Sequence, residues 1–349
     1  MEDAWLPAAP NTGHTYRDRV DAAALQPRAG LPVDAVPSVS GFYAARYPHS
    51  SRLLWLQRLA AGEISRNGQV LRADGPLVPG DRLAWRRPPW EEPAVPRLPA
   101  PLWDDGDLVV FDKPSGLPVL PAGGFLEHTV LRQIERRVAA GDLEDGAGLP
   151  RPVHRLGRFT SGLLVCARCR SSRAWLSALL RDSTAATPGP AQPAGCRKRY
   201  RALIAVGPAS ALAGLLPGES LTITTPIGRR PHGRLGAIWA AGGERPLPAA
   251  STLTLLERRE AGWLVEVAIA SGRPHQIRIH TAAAGAPLLG DPLYRPGGDV
   301  EPLVLPGQGG YHLHAHRLSL TAPEGRRLEL EAPLPPRLRR LGDGLGMAP

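Results

Sequence analysis

An α+β fold in two parts is predicted for this chain: a larger domain on a mixed or antiparallel sheet, with a small basic α/β module in front of it. Three observations predict it. Short apolar runs of strand length, Asp107–Phe111 and Leu163–Ala167, and half-alternating ones, Arg199–Val206 and Trp263–Ile269, recur after residue 106. Segments with apolar residues at helical spacing fall between them. Ahead of them, Arg86–Pro101 holds six prolines, which forbid a helix interior and stiffen the chain into a boundary.

Residues 1–38, proline-bearing and without periodicity, read as an extended arm. The module spans 39–88. Ser51–Leu59 has helical apolar spacing and is closed by Gly62, Asn67-Gly68 is a hairpin turn signal, and Val78–Leu83 turns into a strand. Residues 89–101 form the linker and 102–335 the larger domain. There, Thr129–Ala140 sets Val130, Leu131, Ile134 and Val138 on one face before Gly141, and Ser171–Asp182 does the same with Trp175, Leu176, Leu179 and Leu180. Thr184–Gly195 reads as an inserted loop, and 336–349 as a loose tail. Pro274 suits the first turn of a helix, from which His275 and Arg278 would project together.

With 349 residues, 43% of them apolar, the chain has enough material for real cores, which excludes a disordered protein. Its formal charge of +10 points to a polyanion, nucleic acid before an acidic membrane surface. Only Lys113 and Lys198 are lysines; the remaining basic residues are arginines. No run of 18 apolar residues occurs, and Met1–Pro10 carries Glu2 and Asp3 where a secretory signal needs positive charge, so a soluble cytoplasmic protein is expected. Three cysteines do not make a disulfide framework. Cys166 and Cys169 lack the second pair a zinc site would use, and the alternating His312, His314 and His316 have no acidic or thiol partner nearby in sequence, so no metal is expected. The glycines at 123–124 and 297–298 do not follow a phosphate-loop pattern.

Four segments concentrate Arg, His, Thr and Gly at element ends: Phe111–Val119, His154–Leu164, Lys198–Ala202 and Ser271–His280, the last running on to Gly290-Asp291-Pro292-Leu293-Tyr294. A helix start with arginine beside it is a phosphate or carboxylate site on physical grounds. In this order the segments resemble the RluA-type family of RNA pseudouridine synthases, over about residues 100–335. That family reads asparagine-lysine-proline-x-glycine-leucine-proline at Asp112–Pro118, histidine-arginine-leucine-aspartate-x-x-threonine-serine-glycine at His154–Gly162, and glycine-arginine-threonine-histidine-glutamine-isoleucine-arginine at Gly272–Arg278. Leu313-His314-Ala315 and Gly290-Asp291 are also similar to it, and Phe42–Arg87 resembles the alpha-L RNA-binding module found in front of such enzymes.

The resemblance implies a pseudouridine synthase domain that needs no cofactor: uracil is cut from its ribose at nitrogen, turned, and rejoined through carbon. The uridine would be flipped out of its helix. Arg155 would fill the gap, Tyr200 would pack on the base, and Arg278 would pair with the catalytic aspartate. His154, Arg158, Thr160, His275, Gln276 and Lys113 would contact RNA of ribosomal or transfer type, and a monomer is implied. One departure stands at the centre: the position of the family's aspartate is Gly157, which has no group to act as nucleophile or charge stabiliser. Three explanations are open. Asp112 supplies a substitute carboxylate, or the chain isomerises by other means, or it binds RNA without chemistry as a chaperone or assembly factor.

Overall fold

The computed structural model describes residues 4–25, 38–144, 146–182, 196–269 and 271–342. The inserted loop 184–195 therefore lies outside the described residues. Two compact units divide the chain, one of residues 1–7, 94–230 and 238–349, the other of 8–93 and 231–237.

The smaller unit contains helices α1 (Val39–Arg46) and α2 (Arg52–Ala60) and a four-stranded antiparallel sheet in the order His14–Arg19, Arg82–Arg87, Ile64–Arg66, Gln69–Val70. Ser51 caps α2 by accepting from the Leu54 amide at 3.3 Å, and Asn67 and Gly68 turn the hairpin with φ of 51° and 88°, the sign such a turn requires. Its core is aromatic. Tyr43 stacks on Trp55 at 4.6 Å and Tyr16 on Trp85 at 5.0 Å, while the Arg58 guanidinium lies 4.2 and 4.3 Å from the rings of Trp55 and Trp85.

The extended arm is corrected here. His14–Arg19 is polar, so it carries no apolar period, yet it pairs along its whole length with Arg82–Arg87 and sets Tyr16 on Trp85. Backbone pairing to a distant partner makes the strand. The linker is likewise structured: Glu91–Glu92 pairs with Ala9–Pro10 in the smaller unit, and Val95–Pro96 with Trp5–Leu6 in the larger.

The larger unit is built on a ten-stranded mixed sheet. Its main path runs Ser220–Ile223, Ser251–Glu257, Trp263–Ile269, Cys196–Ile204, Leu313–Thr321, Thr160–Ala167, Leu108–Lys113, Pro101–Asp104. All recorded pairs in it are antiparallel except Thr160–Ala167 with Leu313–Thr321. Helices α3 (Val130–Ala139) and α4 (Arg170–Asp182) contribute Val130, Ile134 and Leu176 to one core cluster, and α5 (Gln276–Ala283) contributes Ile277 to a second. α3 starts where Thr129 accepts from the Arg132 amide at 3.3 Å, and Gly141, at φ 78°, follows its end.

Two further expectations change. α5 begins at Gln276, not at Pro274, because His275 takes a left-handed conformation at φ 58° and acts as the cap. The stretch expected as a loose tail from 336 is held as far as it is described: Leu338 is buried with Leu203 and Leu264, and Arg259 donates to the Arg337 carbonyl at 3.0 Å.

Candidate active site

The larger unit holds a cleft of about 170 Å³. Four separate stretches wall it. The turn into strand Thr160–Ala167 supplies His154, Arg155, Gly157 and Thr160; strand Cys196–Ile204 supplies Tyr200; the start of α5 supplies His275, Gln276 and Arg278; and Tyr311 precedes the last long strand. Arg155, Lys198, Arg199, Arg273, Arg278 and Arg317 line the wall with no carboxylate among its described lining residues, although Arg199, Arg278 and Arg317 are paired with Glu266, Asp291 and Glu331 behind it, so the net positive charge is that of the rest. Such a wall favours a phosphate-bearing ligand.

Three expected site residues lie outside the cleft wall. Asp112 is half-buried opposite Leu163 in the sheet, and burial pushes its carboxyl up to about 6 despite the Lys113 charge beside it. It is not among the residues that line the cleft. Lys113, expected at RNA, is fully buried, and its Nζ donates to the carbonyls of Pro114, Leu117 and Arg158 at 2.8, 2.8 and 3.1 Å. Arg158 donates from Nε to the Gly116 carbonyl at 2.9 Å. Together these bonds lock the 113–118 loop to the turn that carries Arg155 and Gly157.

Gln276 and Thr160 line the cleft but are buried and already engaged. The Gln276 amide donates to the Ala250 carbonyl at 2.8 Å and accepts from the Arg273 amide at 3.2 Å, which fixes the 271–273 loop against strand Ser251–Glu257. Both residues are bonded within the protein, Thr160 sharing a hydrogen bond with the Tyr311 hydroxyl at 3.3 Å. His154 is half-buried and its Nε2 accepts from the Val165 amide at 3.0 Å, so the ring is neutral; burial, with Lys198 next, pulls it down to about 4. His275 faces the Tyr294 hydroxyl at 2.7 Å through Nδ1. Because that hydroxyl donates to the Trp239 carbonyl at 2.9 Å, His275 must donate in turn, and burial beside Arg278 and Arg155 pulls its ring down to about 3. Tyr200 packs against both core clusters, and burial holds its hydroxyl proton well above the ordinary phenol range. Arg155 is exposed.

Arg278 is the best-held cation of the site. Its Nε and Nη2 donate to the two carboxylate oxygens of Asp291 at 2.7 and 2.8 Å, and Nη1 donates to the Pro306 carbonyl at 2.9 Å. The side chains are 3% and 0% exposed, so the pair is desolvated and forked. Arg278 thus pairs with Asp291 and not with position 157. Sequence reading noticed Gly290-Asp291 and gave it no role, although a buried arginine demands a carboxylate and the motif offered one.

Gly157 is exposed, and a Cβ added there would lie 2.4 Å from the Tyr311 Oη and 3.2 Å from the Thr160 Oγ1. Tyr311 is itself buried, with its Oη 3.3 Å from the Thr160 Oγ1 and its ring centroid 4.3 Å from the Arg278 guanidinium carbon. This residue escaped the sequence reading, because nothing local to 311 marks it as a neighbour of 157. Elsewhere His314 shares a hydrogen bond with the Ser161 hydroxyl at 2.9 Å through Nδ1, and His316 with the Ala332 carbonyl at 3.0 Å. No group of three metal-ligating side chains occurs among the described residues.

Residues 107–283 match the family model described as RNA pseudouridylate synthase. An uncharacterized RNA pseudouridine synthase of Synechocystis sp. is 42% identical over 303 residues, covering 85% of this chain and 94% of the relative. RNA pseudouridine synthase 5 of Arabidopsis thaliana is 35% identical over 367 residues, covering 94% and 95%. Ribosomal large subunit pseudouridine synthase D of Neisseria meningitidis is 32% identical over 301 residues, covering 83% and 72%. The family model spans three of the four stretches that wall the cleft, and the relatives extend the match over most of the chain, which therefore belongs to the RNA pseudouridylate synthase family, in its RluA-type branch, and is an isomerase acting on RNA.

Proposed function

We propose that this chain isomerises a uridine within structured ribosomal or transfer RNA, in the cytoplasm, as a monomer and without a cofactor. The observation that carries the reading is the meeting of Arg155, Tyr200 and Arg278, from three distant segments, around one cationic cleft. Phosphates of the RNA would be drawn to the arginines of the wall, and the uridine would leave its helix to enter. Arg155, exposed and long, is suited to occupy the gap, and the ring of Tyr200 to stack on the uracil. The Arg278–Asp291 pair fixes the start of α5 beside them.

A second reading, RNA binding without isomerisation as a chaperone or assembly factor, is favoured by the missing carboxylate among the described residues of the wall. One experiment separates the two. RNA transcripts tritiated at uridine C5 release tritium when carbon replaces nitrogen at the ribose; release by the purified chain supports the first reading, and tight RNA binding with no release supports the second. Tyr200→Ala should cut the release rate far more than RNA affinity, whereas equal losses would favour the second reading.

A further inference from the structure

Cutting the bond between N1 and C1′ of a uridine builds positive charge on the sugar carbon, and an oxygen with free lone pairs, aimed at that carbon, stabilises it. A carboxylate is the strongest such group, and the described residues of the cleft wall hold none. The side-chain oxygens that remain there are the hydroxyls of Thr160, Tyr200 and Tyr311 and the Gln276 Oε1, which already accepts from the Ser271 hydroxyl and the Arg273 amide. All three hydroxyl-bearing side chains pack into the wall, so burial does not separate them; their place relative to Gly157 does.

Tyr311 is different, because its Oη stands 2.4 Å from where a Cβ on Gly157 would be. The phenol tip therefore occupies the volume in which any side chain at 157 would begin, and the glycine there is the residue that lets it in. The phenol is also oriented. Its Oη lies 3.3 Å from the Thr160 Oγ1, and its ring lies 4.3 Å from the Arg278 guanidinium carbon, which Asp291 holds from behind.

We infer that Tyr311 is a catalytic residue of this chain, its hydroxyl oxygen facing the ribose in the space that Gly157 leaves open. The inference rests on the isomerase reading above. In the step it serves, the bond between N1 and C1′ breaks with its electron pair passing to the uracil, while a lone pair of the Tyr311 oxygen stabilises C1′. The phenol keeps its own hydrogen throughout, so no proton has to leave the tyrosine. After the base turns, the C5–C6 π pair forms the bond from C5 to C1′; the C5 hydrogen leaves as a proton and N1 takes one up, so nothing is oxidised or reduced.

The test measures tritium release and RNA affinity for the full chain, Tyr311→Phe, Gly157→Asp and the double variant. Tyr311→Phe should lower the release rate by about 100-fold with RNA affinity unchanged. Gly157→Asp alone should also be slow, since its Cβ would collide with the phenol oxygen. In the double variant the nearest tyrosine-derived atom is the ring carbon at 3.7 Å, an ordinary contact, and the new carboxylate should restore rate above that of Tyr311→Phe. If Tyr311→Phe keeps the full rate, or loses rate and affinity equally, the inference is overturned and the isomerase reading stands. If the unaltered chain releases no tritium, both fall.

Discussion

Two buried cations of the larger unit are held in opposite ways. Arg278 is gripped by a carboxylate, with two forked bonds to Asp291, whereas Lys113 sits among neutral dipoles, its ammonium shared by three carbonyls. The first arrangement cancels charge and fixes a direction; the second only replaces water. Accordingly burial draws Lys113 down to about 7, while Arg278 is raised above its ordinary value, its burial outweighed by the bonds and charge of Asp291 and the neighbouring tyrosines. A catalytic wall requires the first kind of support, and a loop anchor can use the second.

The strongest challenge to this contrast is Asp291→Asn. It leaves a desolvated guanidinium without its anion, and stability should fall by about 3–5 kcal/mol, read from urea unfolding. A loss below about 1 kcal/mol would show that Arg278 does not depend on the pair. Next, Lys113→Met strands three carbonyls and should cost about 2 kcal/mol in the same assay. The pH dependence sharpens the distinction. Unfolded lysine keeps its proton to about 10.5 and the folded group only to about 7, so the unfolded chain binds more protons between these values. The stability advantage of the unaltered chain over Lys113→Met should therefore grow as pH rises from about 7 toward 10.5; a flat difference would mean that the carbonyls hold the charge as firmly as a carboxylate would. The smallest effect concerns His154, a neutral base held from 6.5 to about 4. Here too the unfolded state binds the extra proton, so stability should fall as pH drops through that window, and His154→Gln should flatten part of the fall.

What could be read in advance was local. Helix α3 announced itself through Thr129, the spacing of Val130 and Ile134, and Gly141, all within one short stretch. Motif residues on separate segments were gathered at one cleft through the resemblance, which no local periodicity would have given. The residues misjudged were those whose meaning depends on a distant neighbour. His14–Arg19 is a strand only because Arg82–Arg87 pairs with it. Lys113 was expected to contact RNA, but its ammonium is taken up by three carbonyls, and Asp112, offered as a replacement carboxylate, lies outside the cleft wall. The relation of Gly157 to Tyr311 is steric and spans most of the larger unit's sequence, so composition and spacing carry no trace of it.

The sheet order has a consequence for how the molecule is made. Leu313–Thr321 lies between Cys196–Ile204 and Thr160–Ala167, so these two earlier strands have no other bridge in the sheet's main path. At about 10 residues per second of ribosomal synthesis, roughly ten seconds separate completion of strand Cys196–Ile204 from arrival of the strand that joins it to Thr160–Ala167. During that interval the edge of Cys196–Ile204 and the Thr160–Gly162 end of Thr160–Ala167 lack their partner, while Arg151–Pro152 already covers Cys166 and Ala167; each open stretch is a template for wrong partners. Tyr311 arrives with the joining strand, so the cleft acquires its phenol only as those edges are sealed.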